Sequence, residues 1–318
     1  MVEDRLSALR RGDLVEVRPA AEILATLDDR GMLEGLPFMP EMLAFCGRRF
    51  RIDRRADKIC DTMVTARSRE MPGTVLLEDL RCDGSGHDGC QAECRIFWKE
   101  TWLRRVDGLA ARTSEGSDAG LRERVEANTR RTSSTGEVTY TCQATEHFRA
   151  SKRLRSWDPR PYWRELRTGN VPLVRWLSVI ARALVQEPRR RLGLRGPFPV
   201  LGPRDTDALT QQLNLQVGDS VRTKTVEEIR PTLTHEGVNN GVWFDDENIP
   251  FCGRSFRVRA RINHLIDEHN GKMLDLEKEW LSLEGVKCSG EHSIGRWFCP
   301  RAFHVQWTED WLERADRP

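Results

Sequence analysis

The sequence predicts a mainly β protein with some helix, made of two copies of one small domain joined by a basic, partly helical segment. Two observations carry this. Residues Gly12 to Cys82 recur at a constant offset of 206 positions, from Gly12/Gly218 to Cys82/Cys288. Each copy is a series of short apolar runs bounded by turn residues, whereas the stretch between them is rich in arginine around one long apolar run. At 318 residues the chain has room for two or three domains with ordinary cores. The expected divisions are a first repeat over 1–106, a polar and basic segment over 107–205, and a second repeat over 206–318.

In the first copy, Gly12-Asp13 is turn chemistry, and Leu14-Val15-Glu16-Val17 alternates as a half-buried strand does. Pro19 to Leu27 places Ile23, Leu24 and Leu27 at helical spacing, with Pro19 suited to a first turn. Pro40 to Leu43 reads as a further helical turn. Phe50-Arg51-Ile52 and Val75 to Leu80 read as strands, and Ile96 to Leu103 as a last strand or short helix. The offset becomes 209 in the pairs Cys90/Cys299, Trp98/Trp307 and Trp102/Trp311, so the repeated tryptophans are expected to anchor each core.

Between the copies, Glu137 to Cys142 alternates like a strand. Arg149 to Arg204 is strongly basic and contains an apolar run from Leu173 to Val185, expected as a helix of about four turns beginning after Pro172 and ending before Pro188. Three roles remain open for it: a packed helix with a solvated arginine face, an in-plane helix over residues 172–186 on an anionic membrane, or a nucleic-acid surface. The last is disfavoured, because the apolar run is too continuous for a solvated recognition helix. A protein partner for the same surface fits the first role.

Composition sets the class. The chain is 38% hydrophobic and 31% charged, with formal charge +2 and a mean hydropathy of −0.58, which predicts a soluble protein. No run approaches the roughly 18 apolar residues of a spanning helix, and Met1 to Arg11 lacks the apolar centre of a signal peptide. The expected location is cytoplasmic, with a membrane-peripheral position available through the basic helix. The sequence lacks a P-loop, a nucleophile elbow and an H-E-x-x-H zinc motif, which argues against those enzyme classes.

Nine cysteines in a reducing compartment read as metal ligands, reactive thiols or small buried hydrophobes. Cys82, His87, Cys90 and Cys94 lie in a loop whose Asp-Gly and Ser-Gly steps supply tight turns, and zinc takes thiolate and imidazole ligands from such loops. Three cysteines recur: Cys46/Cys252, Cys82/Cys288 and Cys90/Cys299. A histidine follows the middle one in each copy, His87 and His292. The economical expectation is one Cys3His zinc site per copy: Cys46, Cys82, His87 and Cys90, then Cys252, Cys288, His292 and Cys299. Cys94 is a substitute for Cys46 or His87. Neighbouring Arg48, Arg81 and Arg254 would offset thiolate charge. Cys60, Cys94 and Cys142 occur in the first half alone, and with His87 they would make a second, more open site. An iron or iron–sulfur centre is disfavoured by the unfamiliar spacing. Cys142, Glu146 and His147 are the catalytic candidates, as thiol, carboxylate and imidazole close in sequence.

The Gly-Asp-x-Val starts at Gly12 and Gly218 resemble the first strand of SH3-like and KOW-type barrels. The strings Gly35 to Met42, Phe45-Cys46-Gly47-Arg48-Arg49-Phe50, Cys142-Gln143-Ala144-Thr145-Glu146, Gly169-Asn170-Val171 and Leu213-Asn214-Leu215-Gln216 resemble a bacterial family of tandem-repeat proteins. That resemblance implies no particular reaction. It implies a place near genes for cell-surface sugars or natural products, hence a membrane or a biosynthetic enzyme complex as partner. The expected function is a zinc-stabilised tandem interaction module. The alternative is a metalloenzyme with an open site in the first repeat and a structural second repeat.

Overall fold

A computed structural model describes residues 9–62, 64–65, 67–106, 119–155, 158–192, 200–207, 209–293 and 295–315. The polar stretch 107–118, the linker 193–199, Trp157 and the side chains of residues 190 and 191 lie outside this description. Strand outweighs helix, at 32% against 23%. The chain divides into two compact units. Unit 1 is Met1–Leu177 with Ile266–Met273 and Phe298–Arg301; unit 2 is Ser178–Leu265, Leu274–Trp297 and Ala302–Pro318.

Unit 1 is built on a five-stranded antiparallel sheet of β1 (Leu14–Val17), β2 (Arg49–Arg55), β3 (Thr74–Arg81), β4 (Arg95–Lys99) and β5 (Leu103–Arg105), in the order β4-β3-β2-β1-β5. Strand β1 leaves a turn in which Gly12 has φ +87° and the Asp13 carboxylate accepts from the Arg10 amide at 2.7 Å. The alternation read from sequence turns Val15 and Val17 inward, where both are fully buried with Ile52, Val75 and Leu77. A 3-10 turn, Glu100–Trp102, links β4 to β5 and brings the fully buried Trp98 and Trp102 into the same core. The Trp102 ring meets Phe38 edge-on at 5.6 Å, and its N–H donates to Thr26 Oγ1 at 3.1 Å, whereas the Trp98 N–H is buried without a hydrogen-bond partner.

Unit 2 is built on β6 (Ser220–Thr223), β7 (Ser255–Ile266), β8 (Met273–Lys287), β9 (His304–Trp307) and β10 (Leu312–Arg314), in the order β9-β8-β7-β6-β10. Its registers match those of unit 1 at the sequence offset: Leu14 opposes Arg51 and Ser220 opposes Arg257. Trp311 meets Phe244 edge-on at 5.3 Å and donates to Thr232 Oγ1 at 3.1 Å. The third strand of each sheet slips register at the same place, between Leu76 and Arg81 and between Ser282 and Lys287. A residue with positive φ sits inside each slip, Asp79 (57°) and Gly285 (72°).

The long helix runs from Leu173 to Arg191 and contains Pro188, where the sequence had placed its end. Pro188 cannot donate to the Leu184 carbonyl and its ring crowds that carbonyl, yet one turn remains beyond it, with the Leu192 amide reaching the Pro188 carbonyl at 3.0 Å. Among the described residues no helix is long and apolar enough to cross a membrane.

Candidate metal centre

The loop that leaves β3 in unit 1 is shaped by backbone constraints before any ligand is considered. The Asp83 carboxylate accepts from the Ser85 amide at 3.0 Å, and the Gly84 carbonyl accepts from the amides of His87 and Gly89 at 2.9 and 3.0 Å. Gly84 has φ +74°, and a Cβ there would stand 2.2 Å from the Cys90 carbonyl oxygen, so only glycine fits. A Cβ on Gly86 would stand 2.8 Å from the Pro40 ring. The loop can therefore close onto the 3-10 turn Pro40–Phe45, which carries Glu41.

This closure buries Glu41 (6% exposed) against His87 (1%) and the partly buried Cys82. His87 Nδ1 lies 2.6 Å from Glu41 Oε1, which also accepts from the Gly86 amide at 3.1 Å and from the Cys82 thiol at 3.4 Å. The far nitrogen of His87, Nε2, faces the Thr141 carbonyl at 3.4 Å. Glu41 Oε2 is buried with no hydrogen-bond partner. Burial works to raise the Glu41 pKa, but the hydrogen bond and charge of His87, with backbone amides, outweigh it and leave the carboxyl below its usual range. Burial first, and then the Glu41 carboxylate, push the Cys82 thiol well up.

The donor set could hold a metal ion. Among the described residues, Glu41, Cys82 and His87 form the one group of three or more acidic, thiol or imidazole side chains whose ligand atoms all lie within 4.8 Å of one another. One oxygen, one nitrogen and one sulfur suit zinc, whereas calcium and magnesium take oxygen alone. His87 faces two acceptors, the Glu41 carboxylate and the Thr141 carbonyl, which an imidazolium would satisfy with its two N–H groups. A cation at Nδ1 would instead leave the Nε2 N–H for Thr141 and give the orphaned Glu41 oxygen a partner.

Among the described residues, neither expected four-ligand set has its ligand atoms all within 4.8 Å of one another. In unit 1, Cys46 donates to the Met42 carbonyl at 3.8 Å, and Cys90 accepts from the Ile266 amide at 3.4 Å; neither joins Cys82 and His87. In unit 2, Glu247 stands where Glu41 does, 206 residues on, and its carboxylate is saturated by the amides of Ser289, His292 and Ser293 and the hydroxyls of both serines. Ser293 occupies the position of His87. The His292 ring faces Arg182 at 3.2 Å, and Cys252, held up at about 12 by burial, donates to the Asn248 carbonyl. Cys288 belongs to unit 2. Cys299 falls in unit 1, where its sulfur accepts from the Cys60 amide at 3.1 Å, so the set assigned to the second copy is divided. The paired cysteines keep equivalent surroundings: Cys46 and Cys252 each donate to the carbonyl four residues before, and Cys90 and Cys299 each accept from the amide at the same repeat position, Ile266 and Cys60.

Cys94 lies in a thiol-rich region of unit 1. Burial raises its pKa strongly, with the Glu268 carboxylate and the thiols of Cys142 and Cys90 adding to it and Arg301 opposing. The second site expected from Cys60, Cys94, Cys142 and His87 does not form around His87, which is engaged with Glu41.

The side chains of Cys142, Glu146 and His147 each face partners outside the trio. Cys142 precedes the short helix Gln143–Glu146, and burial pushes its thiol up to about 12. Glu146 is paired with Arg149 at 2.9 Å. His147 donates from Nδ1 to the Ala144 carbonyl at 2.5 Å and turns Nε2 toward Asp61 at 3.8 Å. In the same string the buried Gln143 amide accepts from the Phe97 N–H at 2.7 Å and donates to the carbonyls of Phe97 and Pro37. It pins the edge strand β4.

Comparison with protein-family models, with curated proteins and with solved structures found no match for the chain.

Proposed function

We propose that the chain is a metal-stabilised tandem interaction module in which Glu41, Cys82 and His87 of unit 1 hold one zinc ion. The observation that carries this reading is a single buried carboxylate oxygen receiving both a thiol and an imidazole while its twin oxygen has no partner. A divalent cation in place of those two protons would satisfy all three side chains, and its binding energy would add to the folding of a glycine-rich loop. The strand order β4-β3-β2-β1-β5, with a 3-10 turn before the last strand, resembles that of SH3-like barrels, a kind of domain suited to docking partners.

Elemental analysis of the purified full chain tests the metal. One equivalent of zinc is expected, lost in His87→Ala and retained in His292→Ala. Loss of zinc in both variants, or in neither, would remove the assignment.

A second reading is favoured by one feature of the same site. Three protein ligands leave a fourth position open, which is the arrangement of catalytic rather than structural zinc. In that case unit 2, with Ser293 in place of His87, is the structural partner of a metalloenzyme. Cobalt substitution separates the two: visible bands that shift on adding azide mean an open position, and bands that do not shift mean a closed site.

A further inference from the structure

The helix Leu173–Arg191 has two apolar faces. Val179 is fully buried, with Trp176 and Ile180 half-buried beside it. On the other side Leu173, Val174, Leu177, Leu184 and Val185 are 56%, 81%, 53%, 71% and 57% exposed. At 3.6 residues per turn these five and the exposed Ala181 fall within one arc of about 120°. A scattered exposed leucine needs no explanation, but a continuous apolar stripe along a helix marks a surface that something covers.

We propose that this stripe docks the protein in plane on an anionic lipid surface. Charge selects that occupant. Between residues 160 and 189 the exposed charged side chains are Arg160, Arg164, Arg167, Arg175 and Arg189, whereas Glu165 is buried and Glu187 half-buried. Trp163, 52% exposed, stands edge-on to Trp176 at 5.6 Å, and tryptophan favours the interface between water and lipid. A second copy of the helix would bring Arg175 and Arg189 against like charge. A nucleic acid would use the arginines but leave the stripe in water. Too short in apolar length to cross a bilayer, the helix can lie only along it. The inference is independent of the metal.

Flotation of the full chain with vesicles tests it. The protein floats with vesicles of equal parts phosphatidylcholine and phosphatidylglycerol, not with phosphatidylcholine alone, and floats less at high salt. The double variant Leu177→Glu, Leu184→Glu binds at least roughly tenfold more weakly, and Arg175→Glu, Arg189→Glu also weakens binding. Both leucines are exposed, so thermal unfolding is unchanged by their substitution. A direct measurement on the unaltered chain is hydrogen–deuterium exchange, in which anionic vesicles slow peptides covering residues 173–185. No flotation with anionic vesicles, flotation undiminished by the leucine variant, or a dimer in solution that this variant splits would each overturn the proposal.

Discussion

Glu16 and Arg104 face each other across β1 and β5 of unit 1 as an ion pair, and in unit 2 the same two positions hold the opposite charges, Arg222 and Glu313. Glu16 is 3% exposed and also binds Arg49 at 3.0 Å; at the Arg49 position unit 2 has Ser255. Both sheets thus keep a cross-strand pair at this point while exchanging which strand carries the acid. Glu16→Arg places three guanidinium groups together and should cost about 2–4 kcal/mol. The triple change Glu16→Arg, Arg49→Ser, Arg104→Glu copies unit 2 and should recover at least half of that loss in denaturant unfolding. No recovery would mean that the pair is not interchangeable.

The same carboxylate sets a pH dependence. Burial alone would raise the Glu16 pKa, but hydrogen bonds and charge from Arg104 and Arg49 leave it lowered from 4.5. A depressed folded pKa contributes stability above the unfolded value, and that contribution fades as the pH falls through the folded one. The stability difference between wild type and Glu16→Gln should be constant from pH 7 down to about 5, then shrink. A difference that grows in acid contradicts the assignment.

At the register slip, Asp79 holds a conformation that glycine adopts without strain, as Gly285 does in unit 2. Asp79→Gly should be neutral or stabilise by up to about 1 kcal/mol. Gly285→Ala should destabilise by about 1 kcal/mol, although nothing lies within 4 Å of the added Cβ. Thermal unfolding of the two variants reads the contrast.

Gln143 ties a buried amide to the backbone of Phe97 and Pro37. Gln143→Met keeps the volume and strips these bonds, at a cost of about 2–3 kcal/mol. Hydrogen exchange should speed at the Phe97 amide; unchanged protection there would mean that the edge strand does not depend on Gln143.

Two glycines of the metal loop share positive φ but differ in space. Gly84→Ala drives a Cβ into the Cys90 carbonyl, whereas nothing lies within 4 Å of a Cβ on Gly89. Zinc affinity should fall by roughly tenfold or more in Gly84→Ala and much less in Gly89→Ala. Equal losses would show that strain rather than closure of the loop controls the site.

Local pattern made the strands legible: Val15 and Val17 turn inward because alternation is all a half-buried strand requires, and the paired tryptophans are the anchors of both cores. The site was legible only in part. Cys82 and His87 stand out as soft ligands in a glycine-rich loop, but Glu41 is an ordinary carboxylate until the chain brings it across 46 residues to His87. Its signal was the Glu41/Glu247 identity at the repeat offset, which marks a carboxylate clamping the loop in both units. Cys90 and Cys299 are equivalent in surroundings as well as in sequence, their sulfurs accepting from the amides at the matching positions Ile266 and Cys60. These neighbours are set by long-range packing that cysteine spacing does not encode. Pro188 lies inside the helix because its missing N–H and its ring disturb one turn without preventing the next.

The most direct test is the position of the metal. A crystal grown from zinc-loaded full chain, with diffraction recorded on both sides of the zinc absorption edge, should show one anomalous peak per chain, bounded by Glu41, Cys82 and His87. A peak among Cys60, Cys90, Cys94, Cys142 and Cys299, or at the Glu247 loop of unit 2, would contradict the account.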